Sequence, residues 1–174
     1  VEYGILQLLK DMWSRSDEFE SIVYGADIRD EVLCCVVESC SLLAREPSNV
    51  EQIVQIGLLD FIVEQCNLST NRDALRFSAE TLVWISARIL DGQMMDRVLC
   101  ASIPVLMSLC KSIDDVLVSH ATHALSQFAH DERCVNTMLN AGIIDVLLYI
   151  CADDDAALHR CQHACASDSD KMTS

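Results

Sequence analysis

Apolar residues along this chain fall into short stripes at helical spacing, separated by polar clusters. Between Asp115 and His130, the residues Val116, Val118, Ala121, Leu125 and Phe128 recur two to four positions apart, which gathers them on one side of a helix. Three further apolar segments align with one another. They are Gly57-Leu-Leu-Asp-Phe-Ile-Val-Glu-Gln-Cys66, Ala101-Ser-Ile-Pro-Val-Leu-Met-Ser-Leu-Cys110 and Gly142-Ile-Ile-Asp-Val-Leu-Leu-Tyr-Ile-Cys151. Their starts lie 44 residues apart (57 to 101) and then 41 (101 to 142), and each ends in cysteine.

The flanks of these segments repeat as well. A short amphipathic stretch precedes each one, at Val50–Ile56, Met94–Cys100 and Val135–Asn140. A polar turn follows at 67–71, 111–114 and 152–155, and then a long helix is expected: Arg72–Leu90, Asp115–His130, and a third starting at Ala156. An earlier long helix, Ile28–Arg45, stands before the first unit, and Ile5–Trp13 reads as the middle helix of a preceding one. Ser48, Asn71 and Asp114 are placed to cap helix starts, where a side-chain oxygen accepts an otherwise unpaired backbone N–H. Each unit is therefore short helix, middle helix, long helix. A helical repeat of about 40 to 47 residues is the range of armadillo and HEAT proteins, and the three-helix order is the armadillo one. The expected fold is an all-α, armadillo-type right-handed helical solenoid of three to four partial or complete repeats. One unit cannot bury its apolar faces alone, but stacked neighbours share a continuous core. The repeat domain spans 1–165, with its first and last repeats incomplete, and 166–174 reads as a polar disordered tail.

Composition narrows the function. Of 174 residues, 51% are hydrophobic, too many for a disordered chain. Lys and Arg number 12 against 27 Asp and Glu, a formal charge of −15. Such a chain repels phosphate backbones, so nucleic acid is not an expected partner. No apolar run reaches the ~20 residues of a membrane-spanning helix. The ten cysteines sit largely inside apolar stripes, as Cys34 and Cys35 do, where a free thiol serves as a small buried hydrophobe. With no basic-then-apolar leader, that usage suggests a reducing, cytoplasmic setting. An opening Val1 rather than Met suggests a piece of something longer.

Several residue groups could carry chemistry. His159, Cys161, His163 and Cys165 hold two possible ligand pairs. On a helix the pairs point about 200° apart, so one zinc ion cannot take all four. Cys66, Cys110 and Cys151 belong to helices stacked roughly 8 to 10 Å apart, too far for disulfides, and are expected in the core. His120, His123 and His130 read as capping or solvated residues. Glycine-rich phosphate loops and His-Glu-x-x-His are absent, and Asp153–Asp155 lacks the spacing of a calcium loop. The chain is therefore expected to hold no catalytic site, no metal and no resident cofactor.

Two resemblances add to this. Over Ile28–Cys165 the register is similar to armadillo proteins as a class. The importin-α family grips basic peptides with a Trp and an Asn four residues on. Those positions fall here on Glu38/Leu42, Thr81/Ile85 and His123/Gln127, and none keeps the pair. Trp84 lies three residues from the expected place. A closer match runs from His130 to Ala164. Ala141-Gly142-Ile-Ile-Asp145-Val-Leu-Leu148-Tyr149-Ile-Cys151, followed by Asp155, Ala157-Leu158 and Arg160, resembles the N-terminal armadillo domain of the SARM (sterile-alpha and TIR motif) family of NAD hydrolases. Phe128-Ala-His130-Asp-Glu132, Asp96-Arg97-Val98 and Leu6-Gln7-Leu8 through Trp13 echo further segments of that family.

The resemblance implies a regulatory, autoinhibitory module. In that family the domain restrains a TIR domain of the same chain, and NAD or NMN in its concave pocket sets or releases the restraint. Trp13 matches the tryptophan that stacks on the ligand, and Arg29 matches a pocket arginine once an insertion after Trp13 is allowed. Ser126 and Ala129 stand where the family has His and Lys, and the segment after Trp84 is longer. These changes remove cationic partners for the phosphates. Protein partners are thus expected, whether a TIR domain of the parent chain or the target of a general armadillo peptide- or protein-binding scaffold of the adaptor or transport type. Open solenoid ends would favour self-association.

Overall fold

The computed structural model describes the backbone of residues 3–15, 25–88 and 92–152, and the side chains of 4–15, 30–88 and 94–151. The described residues are all-helical, with nine helices and no strand. They are α1 (Tyr3–Ser14), α2 (Gly25–Ala44), α3 (Pro47–Gln55), α4 (Leu58–Leu68), α5 (Arg72–Ser86), α6 (Gly92–Leu109), α7 (Asp115–Phe128), α8 (Glu132–Asn140) and α9 (Ile143–Ala152). The expected third long helix, the paired ligands His159–Cys165 and the tail 166–174 lie outside the described residues.

Helix starts follow the capping chemistry. Asn71 Oδ1 accepts from the backbone N–H of Asp73 and Ala74 at the head of α5. Asp114 Oδ1 accepts from Val116 at the head of α7. Ser48 is not a cap. Helix α3 already begins at Pro47, and Glu46 holds the extended cap position. Proline suits the first helical residue because its ring presets φ and its missing N–H is one the helix would leave unpaired.

Between short and middle helices, one residue decides whether the chain breaks. Gly57 joins α3 to α4 at φ +87°, and Gly142 joins α8 to α9 at φ +88°. Residues with a Cβ avoid this left-handed region at a cost of about 1 to 2 kcal/mol. In the aligned second unit the residue is Ala101. There the expected break is missing, and α6 runs from Gly92 to Leu109 as one helix, carrying Pro104 within it. A Cβ on Gly57 would come no nearer than 3.7 Å to Asp60 Oδ2 and 3.9 Å to Arg97 Nη2. Space is therefore available, and Gly57→Ala should cost about 1 to 2 kcal/mol through backbone strain alone. Chemical denaturation of the variant measures this, and an unchanged stability would remove the argument.

The long helices pack in series: α2 against α5, and α5 against α7. Helix α4 lies against α5 and α6, α6 touches α3, α7 and α8, and α1 rests on α2 and α3. One core cluster runs through all nine, from Leu6 to Val146. Phe61, Ile53, Leu58, Leu59, Ile62, Leu82, Ile103 and Leu106 are among its fully buried members. Each such side chain adds about 1.5 to 3 kcal/mol. The aligned cysteines diverge. Cys66 and Cys110 are buried, as expected, while Cys151 is exposed.

Candidate functional site

Helices α2, α5 and α7 present a continuous face whose polar residues tie each helix to the next. From the end of α2 and the residue after it, the Ser41 hydroxyl donates to Glu80 Oε2 at 2.9 Å and Arg45 Nη2 to Glu80 Oε1 at 3.0 Å. The Arg45 guanidinium also lies 6.0 Å from the centre of the Trp84 ring, the outer limit of a cation–π contact. Burial pushes the Glu80 carboxyl up. The bonds from Ser41 and Arg45 outweigh it and hold the group below the ordinary carboxylate range. The Trp84 indole also favours the ionised form, although its buried Nε1 closes no hydrogen bond.

At the opposite ends of these helices, Asp114 plays two parts. It caps α7, and it receives Arg72 Nε at 2.7 Å and Arg76 Nη2 at 3.1 Å, both from α5. Its side chain is only 6% exposed. Burial again works against the charge, and the Arg76 and Arg72 bonds reverse it, so the carboxyl sits below its ordinary range. A third tie lies among the shorter helices. Arg97 of α6 reaches Asp60 of α4 at 2.6 Å and the Val54 carbonyl of α3 at 3.4 Å.

The described thiols divide by burial. Desolvation raises Cys40 and Cys66 to about 12 and Cys110 to about 11. These thiols stay protonated at neutral pH and serve as packing residues. Among the described residues no group of three His, Cys, Asp or Glu is placed to hold a metal ion.

The residues singled out from sequence fare differently. Trp13 is half-buried on α1, its ring centroid 5.2 Å from that of Phe61 and tilted by 34°. The indole is thereby engaged with the core. Arg29 lies in α2, and its side chain is outside the described residues. Glu38, Leu42 and His123 are exposed on the long-helix face, but Thr81 and Ile85 are buried at 0% and 1%. On α5 the outward ladder is instead Glu80 and Trp84, one residue earlier. Ser41, Arg45, Glu80 and the Arg72–Arg76–Asp114 group were not legible as a site. Their partners stand 35 to 42 positions apart, and no local spacing links them.

A cleft of about 400 Å³ opens where α5 and α7 end and α8 begins. Ser86, Arg88, Gln127, His130, Asp131 and Glu132 line it, and the Arg88 Nε is buried with no hydrogen-bond partner. Trp13 is not among its walls.

No protein-family model matches this chain, and the search of curated proteins found no match. Solved structures do resemble it. Two crystal structures of engineered proteins from the Northeast Structural Genomics Consortium superpose with TM-scores of 0.65 and 0.63. They are 20% and 16% identical in sequence and cover 83% and 90% of this chain. The chain in turn spans 57% and 64% of their lengths. At these identities the likeness concerns the fold alone.

Proposed function

We propose that this chain is a non-catalytic, armadillo-type interaction module whose working surface is the α2–α5–α7 face. The serial packing of the three long helices carries this reading. Short and middle helices lie behind them, and the units are cross-tied by Arg45–Glu80, Arg72/Arg76–Asp114 and Arg97–Asp60. A row of long helices braced in this way offers an extended, preorganised recognition surface, which is what repeat arrays use to bind partners. The exposed Leu42 and the half-buried Trp84 supply apolar anchors on it. The net charge of −15 favours a basic partner segment.

The resemblance to the SARM family gives this function a specific form: restraint of a TIR domain, with NAD or NMN as the controlling ligand. The half-buried Trp13 supports it, since an indole that is partly exposed has surface on which a base can stack. Calorimetry with NAD and NMN on the 174-residue chain tests this form. Saturable binding that Trp13→Ala abolishes is the expected result. Heats at the level of dilution up to millimolar ligand would discard nucleotide sensing and leave the general protein-binding scaffold. That scaffold is checked by salt-sensitive binding of a Lys/Arg-rich peptide that Trp84→Ala weakens.

A further inference from the structure

The cleft of about 400 Å³ at the ends of α5 and α7 has no part in the function proposed above. Its volume suits a small molecule. Met95 and Phe128 give it an apolar, buried lining. Charges of both signs stand around that lining, and two of them are unengaged. Arg88, two residues past the end of α5, keeps its Nε buried. Among the described residues its guanidinium closes no hydrogen bond or ion pair. Glu132, the first residue of α8, is exposed, and its carboxylate pairs with none of them either.

The polar groups beside them are already engaged. Asp131 caps α8 and holds Arg133 Nη2 at 2.8 Å. Gln127 Nε2 meets His123 Nε2 at 3.2 Å. Arg88 and Glu132 thus line one cavity without satisfying each other.

A charged nitrogen buried without an acceptor is costly, so Arg88 calls for an anionic group. A ligand that is only an anion is disfavoured. The net charge of −15 and Glu132 repel it, and α5 and α7 both bring the negative ends of their dipoles to the cleft. A ligand that is only a cation leaves Arg88 without an acceptor. A neutral molecule that carries both charges close together answers both demands. An α-amino acid has its carboxylate and ammonium on one carbon, and an aliphatic side chain matches Met95 and Phe128.

We infer that this cleft binds a free, zwitterionic α-amino acid with an aliphatic side chain, its carboxylate on Arg88 and its ammonium on Glu132.

Isothermal titration calorimetry of the 174-residue chain with L-leucine, N-acetyl-L-leucine and L-leucinamide tests it. Leucine should bind saturably, with Kd below about 1 mM. Each derivative lacks one of the two charges and should bind at least about tenfold more weakly. Arg88→Gln should weaken leucine binding about tenfold. Glu132→Gln should weaken it about threefold, less because the side chain is exposed and screened. This second variant keeps the shape of an exposed residue, so the test stands even where circular dichroism shows Arg88→Gln to be misfolded. Absence of leucine binding up to about 10 mM would overturn the inference. So would N-acetyl-leucine binding as tightly as leucine, which makes the cleft a plain anion site, or leucinamide doing so, which makes it a plain cation site. Leucine binding left unchanged by the folded variants would place the ligand elsewhere and overturn it too.

Discussion

Phe61→Ala should destabilise the fold by about 3 to 5 kcal/mol, the range for emptying an aromatic site in a closed core. Phe61 is fully buried on α4, and its ring meets Trp13 of α1 at 5.2 Å. The substitution therefore opens a cavity and also releases the contact between first helix and core. An aromatic pair adds about 0.5 to 1.5 kcal/mol beyond the area it buries. Against a total stability of about 5 to 15 kcal/mol for a domain, this single loss is large. Phe61→Leu keeps most of the volume and should cost under about 1.5 kcal/mol. Urea denaturation followed by circular dichroism measures both. Equal midpoints for parent and Phe61→Ala would show that α1 and α4 do not share one core.

Asp114→Ala should cost about 2 to 3 kcal/mol. Loss of the α7 cap accounts for about 1 kcal/mol. The remainder comes from the two arginine bonds, and it is moderate because Arg72 is 66% exposed and Arg76 34%, so solvent already screens them. Asp114→Asn keeps a competent cap and loses only the charge, so it should recover roughly half of the loss. The pH dependence has a definite sign. The folded carboxyl lies below its ordinary value of 3.8. Its stabilisation is then complete above the unfolded value and disappears as pH falls through the lower, folded one. Glu80, also held low, adds to the same acid-side slope. Denaturation of the parent and Asp114→Ala between neutral pH and pH 3 should show their difference shrinking toward the acid end. A constant difference would mean that the carboxylate charge has no part in the tie.

Helix positions were readable from the sequence because they depend on local chemistry. Asn71 and Asp114 announced the starts of α5 and α7, and the apolar stripe of α7 announced its buried side. The exceptions are local too. Aligning Gly57, Ala101 and Gly142 captured the period but treated three residues as equivalent when only two tolerate a positive φ, so α6 was expected as two helices. Pro47 outranked Ser48 at the start of α3 for a similar reason. The face was less legible. The importin-α register falls on Thr81 and Ile85, which are buried, one residue or about 100° of rotation from Glu80 and Trp84, and only the packing of α5 between α2 and α7 shows this. The ties Arg45–Glu80 and Arg76–Asp114 join residues more than thirty positions apart, and nothing in the local pattern of either member names the other.

The unbroken α6 has a mechanical consequence. Its 18 residues span about 27 Å without a glycine break, but Pro104 inside it gives the Cys100 carbonyl no N–H one turn on. In α6 bending therefore falls at Pro104, whereas the α3–α4 and α8–α9 pairs turn at Gly57 and Gly142. Three neighbouring units thus use two different devices to redirect the chain, a left-handed glycine in two and a proline in the third.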